Sequence, residues 1–223
     1  MVIAGVLIGI FITNSHPQTV SNTSTYPTPA TNLPLPGTQT VQNLSSSPYF
    51  EYSYDDVISK LQSSLRLIGV TMSDPTKFSS TLDISSNCNF MSDPSKQALV
   101  KYCTMSELGD KNGTIGNINM IGSTDAPGLV MVLISSDDTF SNIGKVRGIL
   151  DAVITDTICS CWNAERPNGY VTSADMINAL RDTQIASGNP SSTTHPIQLG
   201  NKHFQLEITN DGNSYLWKLL VAR

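Results

Sequence analysis

Charge is missing from the first fifty residues of this chain. None of its 18 Asp and Glu residues or its 13 Lys and Arg residues comes before Glu51. The surface of an ordinary globular domain carries charge on about a quarter of its residues, so this stretch cannot form such a surface. The chain therefore divides near residue 50, and the remaining 173 of the 223 residues are long enough to bury a substantial core.

Basic clusters are also lacking. The formal net charge is -5, the isoelectric point is near 5.0, and no run of Lys or Arg interrupts the sequence. Binding to a nucleic-acid backbone depends on a patch of positive charge that neutralises phosphates. We therefore expect no nucleic-acid partner.

Histidine is scarce, and so are the motifs that catalysis most often uses. The three histidines, His16, His195 and His203, belong to no Ser/His/Asp or Cys/His motif. The sequence also lacks a P-loop, a G-x-G-x-x-G turn after a strand, an H-E-x-x-H helix and a complete calcium loop. It thus predicts neither a cofactor nor a metal ion.

The opening segment, residues 1–12, is apolar or Gly throughout. Its length is that of the hydrophobic region of a signal peptide, and it is shorter than the roughly 20 residues that cross a bilayer. A secretory signal would have Lys or Arg before this apolar region, and none precedes it here. We interpret it as part of a membrane anchor whose helix begins upstream of Met1. A cleaved signal of a secreted protein and a buried helix of the domain are the alternatives.

Residues 13–48 contain six of the twelve prolines, and Ser, Thr, Asn and Gln make up most of the rest. This composition offers no apolar face that could be buried, and it is typical of extended linkers. We predict a disordered stalk between the N-terminal segment and a single globular domain, which spans residues 49–223.

Helical spacing of apolar residues and capping signals define three helices in the domain. The first follows Ser53, the second covers residues 142–162, and the third follows Thr172 and ends before Gly188. A fourth, short helix is favoured after Asp93, where a proline occupies the first turn. Alternation in that same segment would also suit a strand.

Alternation between apolar and polar residues predicts the strands. It marks residues 77–85 as one strand, 116–122 and 128–135 as a hairpin, and 202–222 as a second hairpin that turns at "NDGN". Helices and strands do not alternate one by one along the chain. We therefore predict an α+β domain with an antiparallel sheet and amphipathic helices packed on one face.

Four cysteines in one domain of this size suit an oxidising compartment, where three pairings are open to them. Cys88 and Cys103 form the most local of these bridges. In a helix that continues through residue 161, Cys159 and Cys161 point about 200° apart and can neither bond each other nor share a metal. Cys161 then lies on the buried stripe as a thiol, and Cys159 faces outward as a third disulfide candidate or a free thiol.

The segment "SSDD" lies between a buried strand and a helix. It places Asp137 and Asp138 where carboxylates cap a helix or line a cleft. His203, on a strand, is the third residue that we consider for a ligand cleft.

These features together predict a binding or interaction module outside the cytoplasm. Its N-terminal segment would anchor it to a membrane, or the chain would be secreted. The ligand would be a protein or a small molecule bound to the globular domain. The alternative is an extracytoplasmic enzyme that uses thiol or carboxylate chemistry, and a deep pocket that gathers Asp137, Asp138 or His203 would favour it.

Overall fold

The computed structural model describes residues 47–91 and 93–223, which form an α+β unit around a nine-stranded antiparallel sheet. The predicted fold class is therefore confirmed. The predicted anchor, residues 1–12, and the predicted linker as far as residue 46 lie outside the described residues. Within the described ranges, no helix combines the length and the apolar character needed to cross a bilayer.

The strands of the sheet all run antiparallel to their neighbours. Their bounds are β1 Thr71–Met72, β2 Thr76–Phe78, β3 Tyr102–Asp110, β4 Gly113–Gly122, β5 Pro127–Asp137, β6 Ser191–Thr193, β7 Ile197–Leu199, β8 Lys202–Asn210 and β9 Ser214–Ala222. Strands β3, β4, β5, β9 and β8 lie side by side in that order. The short strands β1 and β2 pair with the outer edge of β3, and β6 and β7 pair with that of β8.

Six α-helices occur in the described part of the chain. Their bounds are α1 Tyr54–Leu67, α2 Thr81–Asn87, α3 Pro94–Gln97, α4 Ile143–Thr157, α5 Trp162–Glu165 and α6 Ser173–Ser187. Helices α1 and α6 begin with capping boxes, Ser53 with Asp56 and Thr172 with Asp175, as the sequence predicts. In each box two backbone N–H groups that the first turn leaves free gain a partner.

The main core lies between the sheet and the long helices α1, α4 and α6. Alternate residues of the central strands point into it, so that β5 contributes Val130, Val132 and Ile134. Trp217 of β9 is the largest fully buried side chain, and its indole N–H donates to the hydroxyl of Ser136 at 3.0 Å. The one polar atom of that ring is therefore satisfied inside the core.

A smaller apolar cluster lies on the opposite face of the sheet, against the short helix α2. Ile84 and Cys88 contact residues whose strand positions face away from the main core, namely Cys103, Ile121 and Leu129. A disulfide joins Cys88 to Cys103, and both residues are buried. The three long helices thus pack on one face, and a covalently tethered segment covers part of the other.

Residues 77–85 do not form the strand that their alternation predicts. Only β2, at the start of this segment, is extended, and α2 begins after Ser80, whose hydroxyl accepts a backbone N–H at 3.1 Å. The alternation gave a wrong prediction because it counts Leu82 as a buried residue, whereas this side chain is 75% exposed. Ile84 and Cys88, four residues apart, share the buried side of the helical segment instead.

Strand β3 has no counterpart in the sequence-based prediction. Its Thr104 and Ser106 are 2% and 1% exposed, so polar residues occupy buried positions where alternation would require apolar ones. The short helix expected after Asp93 is present as α3.

The two disulfides should contribute unequally to stability. Cys88 and Cys103 are 15 residues apart in sequence, whereas the second disulfide joins Cys159 to Cys161, only 2 apart. In the chain-entropy treatment, closing loops of these sizes raises the free energy of the unfolded chain by about 3 and about 1.5 kcal/mol. Replacing both members of the first pair by Ala should therefore lower the free energy of unfolding by about twice as much as replacing the second pair. Urea unfolding measures both losses, and equal losses would contradict this expectation.

Candidate functional site

Helix α4 ends at Thr157, two residues before the C-x-C pair, although its apolar stripe continues to Cys161. The amides of Ile158 and Cys159 both donate to the carbonyl of Ile154, at 2.9 and 3.3 Å, so the regular ladder of hydrogen bonds stops there. The predicted extension of this helix to residue 162 is therefore wrong.

Side chains from distant parts of the chain bind the carbonyls at the end of α4. The Tyr52 hydroxyl donates to the carbonyl of Thr157 at 3.1 Å, and the Lys202 ammonium donates to that of Ile158 at 3.2 Å. A cation is favourable at this end of the helix dipole. Burial raises the pKa of Tyr52, which therefore keeps its proton as a donor, and burial lowers the pKa of Lys202.

The end of the helix lets Cys159 and Cys161 bond each other, with their Cα atoms 5.2 Å apart. This is the pairing that a continuous helix would forbid. The prediction of a buried thiol at Cys161 is wrong, because this residue is half-buried and disulfide-bonded. The remaining candidates, Cys88 and Cys103, are joined to each other.

A groove of about 540 Å³ lies beside this disulfide, between α4 and α6, and we name it the α4–α6 groove. This volume is within the range of small-molecule sites. The groove is lined by Arg147, Gly148, Asp151, Ile154, Thr155, Cys159, Ser160, Trp162, Asn163, Thr172, Ser173 and Ala174. Cys159 belongs to this lining, and Cys161 does not.

Two opposite charges of α4 border the groove without pairing with each other. Arg147 and Asp151 are four residues apart, a spacing that often gives an ion pair on a helix. No ion pair joins them among the described residues. Instead, the Arg147 guanidinium donates to Asn178 of α6, and the Ser173 hydroxyl of α6 donates to Asp151. Helix α6 thus holds a cation and an anion apart at the groove.

The guanidinium of Arg147 is also incompletely bonded. Its Nε atom is buried and has no hydrogen-bond partner within the part of the chain that the structure describes. A buried donor without an acceptor carries a desolvation penalty of about 1 to 3 kcal/mol, which a bound acceptor would relieve. Arg147 therefore has one buried donor without a partner, in addition to the charge that it places at the groove.

Three groups near the disulfide have the spacing of metal ligands. The donor atoms of Cys159, Cys161 and Glu165 lie within 4.8 Å of one another. Sulfur binds a metal as a thiolate, and here both sulfurs share a disulfide. Glu165 accepts a hydrogen bond from the Gly200 amide at 2.9 Å, which links this loop to the turn between β7 and β8. A metal could bind these three groups only after the disulfide is reduced.

The structure does not bring Asp137 and Asp138 close to His203. Asp137 at the end of β5 and His203 at the start of β8 pair with residues of β9 that are eight positions apart. At about 3.4 Å per residue, the two ends of the sheet are about 27 Å from each other. Thr139 and Ser141 both donate to the Asp137 carboxylate, which therefore closes the turn before α4.

Sequence reasoning missed the charged residues of the groove. Arg147 and Asp151 lie on the polar side of a predicted helix, the ordinary position of solvated charges. Ser173 directly follows a helix cap and carries no signal of its own. Nothing local indicates that the start of α6 lies opposite α4, so only the tertiary structure reveals the groove.

No protein-family model, curated protein or solved structure matches the chain. The fold and the site define an α+β domain with a groove that two opposite charges border, beside an accessible disulfide. Its function therefore has to be inferred from the chemistry of that groove.

The Asp137 carboxylate should stabilise the domain in a pH-dependent way. Hydrogen bonds from Ser141 and Thr139 hold the pKa of Asp137 well below its ordinary value. A carboxylate of lowered pKa contributes stability above its unfolded pKa of about 4 and loses that contribution as the pH falls further. Asp137→Ala should therefore lower the melting temperature at neutral pH, and its difference from the wild type should shrink in acid. A difference that stays constant from neutral pH to about pH 2 would contradict the role of the charge.

Proposed function

We propose that this chain is an extracytoplasmic, membrane-tethered binding module. We further propose that its α4–α6 groove holds a small ligand that carries both a negative and a positive group. The observation that carries this proposal is the separation of Arg147 from Asp151 by side chains of α6. Two charges that would otherwise neutralise each other are thereby left for a ligand.

The two opposite charges at the groove favour a zwitterion over an uncharged ligand. A ligand carboxylate beside Arg147 would pair with the guanidinium charge, and a ligand ammonium would meet the oxygen of Asp151 that Ser173 does not occupy. Hydrogen bonds between ionised partners are about twice as strong as those between neutral ones. Ile154 and Trp162 add apolar residues to the same lining. Amino acids and the ends of short peptides have this combination of charges.

The extracytoplasmic location is supported by the sequence and by the cysteines. The first fifty residues carry no charge, and a proline-rich segment follows the apolar opening. All four cysteines are in disulfides, which is compatible with an oxidising compartment. Anchoring by residues 1–12 remains part of the proposal.

The alternative function is an extracytoplasmic enzyme. Its carboxylate version has little support, because Asp137 closes a turn and His203 lies at the other end of the sheet. Its thiol version is favoured by one specific observation, the position of Cys159 in the lining of the groove. A binding module and a thiol-dependent enzyme would use the same side of the domain.

A tethered domain should be released by mild proteolysis of intact cells that produce the chain. The cut is expected within the predicted stalk, residues 13–48, because its proline-rich, polar composition offers no apolar face for packing, and the released fragment should contain residues 49–223. Immunoblotting and mass spectrometry of the supernatant measure this release. Full protection in intact cells, followed by cleavage after lysis, would place the domain inside the cytoplasm.

Zwitterionic ligands should stabilise the domain through Arg147. A ligand at 100 times its dissociation constant raises the free energy of unfolding by about 2.7 kcal/mol. We expect at least one member of a panel of amino acids and dipeptides to raise the melting temperature of the wild type and to lose this effect in Arg147→Met. Simple sugars of similar size serve as uncharged comparators.

Arg181→Met is the matched control for that experiment. Arg181 lies on α6, outside the groove lining, and bonds its neighbour Asp182 at 2.6 Å. This control removes the same charge and should keep the full ligand effect. Equal ligand effects in Arg147→Met and wild type, or stabilisation by sugars alone, would rule out the charge-based proposal.

A further inference from the structure

The two disulfides differ in their accessibility. Cys88 and Cys103 are both 0% exposed, in the cluster against α2. Cys159 and Cys161 are half-buried, and Cys159 lines the α4–α6 groove. Thiol–disulfide exchange requires that an attacking thiolate reach a sulfur atom. Only the second disulfide meets this requirement while the domain stays folded.

The accessible disulfide contributes little to holding the fold. Its ring encloses the single residue Ser160, so in the chain-entropy treatment it restricts the unfolded chain about half as much as the bridge between Cys88 and Cys103. The end of α4 before it is held by hydrogen bonds from Tyr52 and Lys202, which do not involve sulfur. The domain should therefore remain folded when this ring opens.

A positive group lies beside the ring. The Lys202 ammonium binds the carbonyl of Ile158, directly before Cys159, at 3.2 Å. Cations near a cysteine stabilise its thiolate, and they also attract an incoming thiolate. The negative charge of Glu165, within 4.8 Å of the sulfurs, disfavours a thiolate there. The Gly200 amide donates a hydrogen bond to this carboxylate and so reduces its effect.

We propose that Cys159–Cys161 is an exchangeable disulfide that oxidises a dithiol reaching it through the α4–α6 groove. One thiolate of the dithiol attacks Sγ of Cys159, which forms a mixed disulfide and releases Cys161 as a thiolate. The second thiolate then attacks the dithiol's own sulfur in that mixed disulfide and releases Cys159. The dithiol loses two electrons and two protons and becomes a disulfide, while the chain gains two thiols. This activity goes beyond the binding function proposed above and does not depend on it.

A redox titration of the full chain tests this proposal, with Cys88–Cys103 as an internal control. The protein is equilibrated with mixtures of oxidised and reduced dithiothreitol, quenched in acid, alkylated and mapped by mass spectrometry. A chelator is present because the reduced cysteines and Glu165 would offer three metal ligands. The Cys159–Cys161 ring should be half reduced at a ratio of oxidised to reduced reagent at least about tenfold higher than the control disulfide, because it closes the shorter loop. The near-UV circular dichroism of the domain should be retained at that point.

Two results would overturn the exchangeable disulfide. The first is opening of both disulfides at the same ratio, and the second is opening of the Cys159–Cys161 ring only after the near-UV signal is lost. Either result would mean that the ring reacts only in the unfolded chain, as an ordinary structural disulfide does.

Matched single-cysteine variants identify the sulfur that is attacked. Cys161→Ser leaves Cys159 free, Cys159→Ser leaves Cys161 free, and each exchanges one sulfur for one oxygen while retaining the buried disulfide. Oxidised glutathione should form a mixed disulfide at least about tenfold faster with Cys161→Ser, since Cys159 faces the groove. Equal rates, or a faster reaction of Cys159→Ser, would overturn attack at Cys159.

Discussion

The pairing of β5 with β9 is the constraint on which the rest of the domain depends. Nine consecutive residue pairs run from Leu129 opposite Ala222 to Asp137 opposite Ser214, and β4 pairs along the other edge of β5. The backbone groups of such a strand are satisfied only by its two neighbours, because buried N–H and C=O groups have no water to bind. Since β9 is the last strand that the structure describes and β5 precedes it by more than 70 residues, the centre of the sheet forms only when the N-terminal and C-terminal parts of the domain meet. This makes the fold dependent on contacts that are distant in sequence.

The same pairing positions the groove. Helix α4 follows β5 through the turn that Asp137 closes, and it contacts both β5 and β9. Helix α6 contacts β6 and β8, on the far side of β9. The two walls of the groove therefore rest on strands that β5–β9 pairing brings together. Arg147 of one wall and Asn178 of the other can bond only in the complete domain, so the charges of the groove are arranged by tertiary structure and not by either helix alone.

The sequence-based predictions succeeded where the deciding interaction is local and failed where it is distant. Ser53 and Thr172 bond amides three residues later, so the starts of α1 and α6 were visible in the sequence, and the "NDGN" turn likewise located the last hairpin. The end of α4 depends on Tyr52 and Lys202, which are 105 and 44 residues from the carbonyls that they bind. The local sequence around the end of α4 therefore gives no signal for this cap. The groove was missed for the same reason, because its walls meet only through the sheet.

The misplaced helix end changes the chemistry of the cysteines. The three residues Cys159, Ser160 and Cys161 would carry two thiols on opposite sides if α4 continued, and they form a closed ring because it stops. Tyr52 and Lys202 favour the second arrangement by bonding the carbonyls that another helical turn would use. Both side chains reach α4 only in the folded domain. The ring is therefore placed beside the groove by tertiary contacts, and a peptide of this segment alone would lack both the cap and the charged groups around the sulfurs.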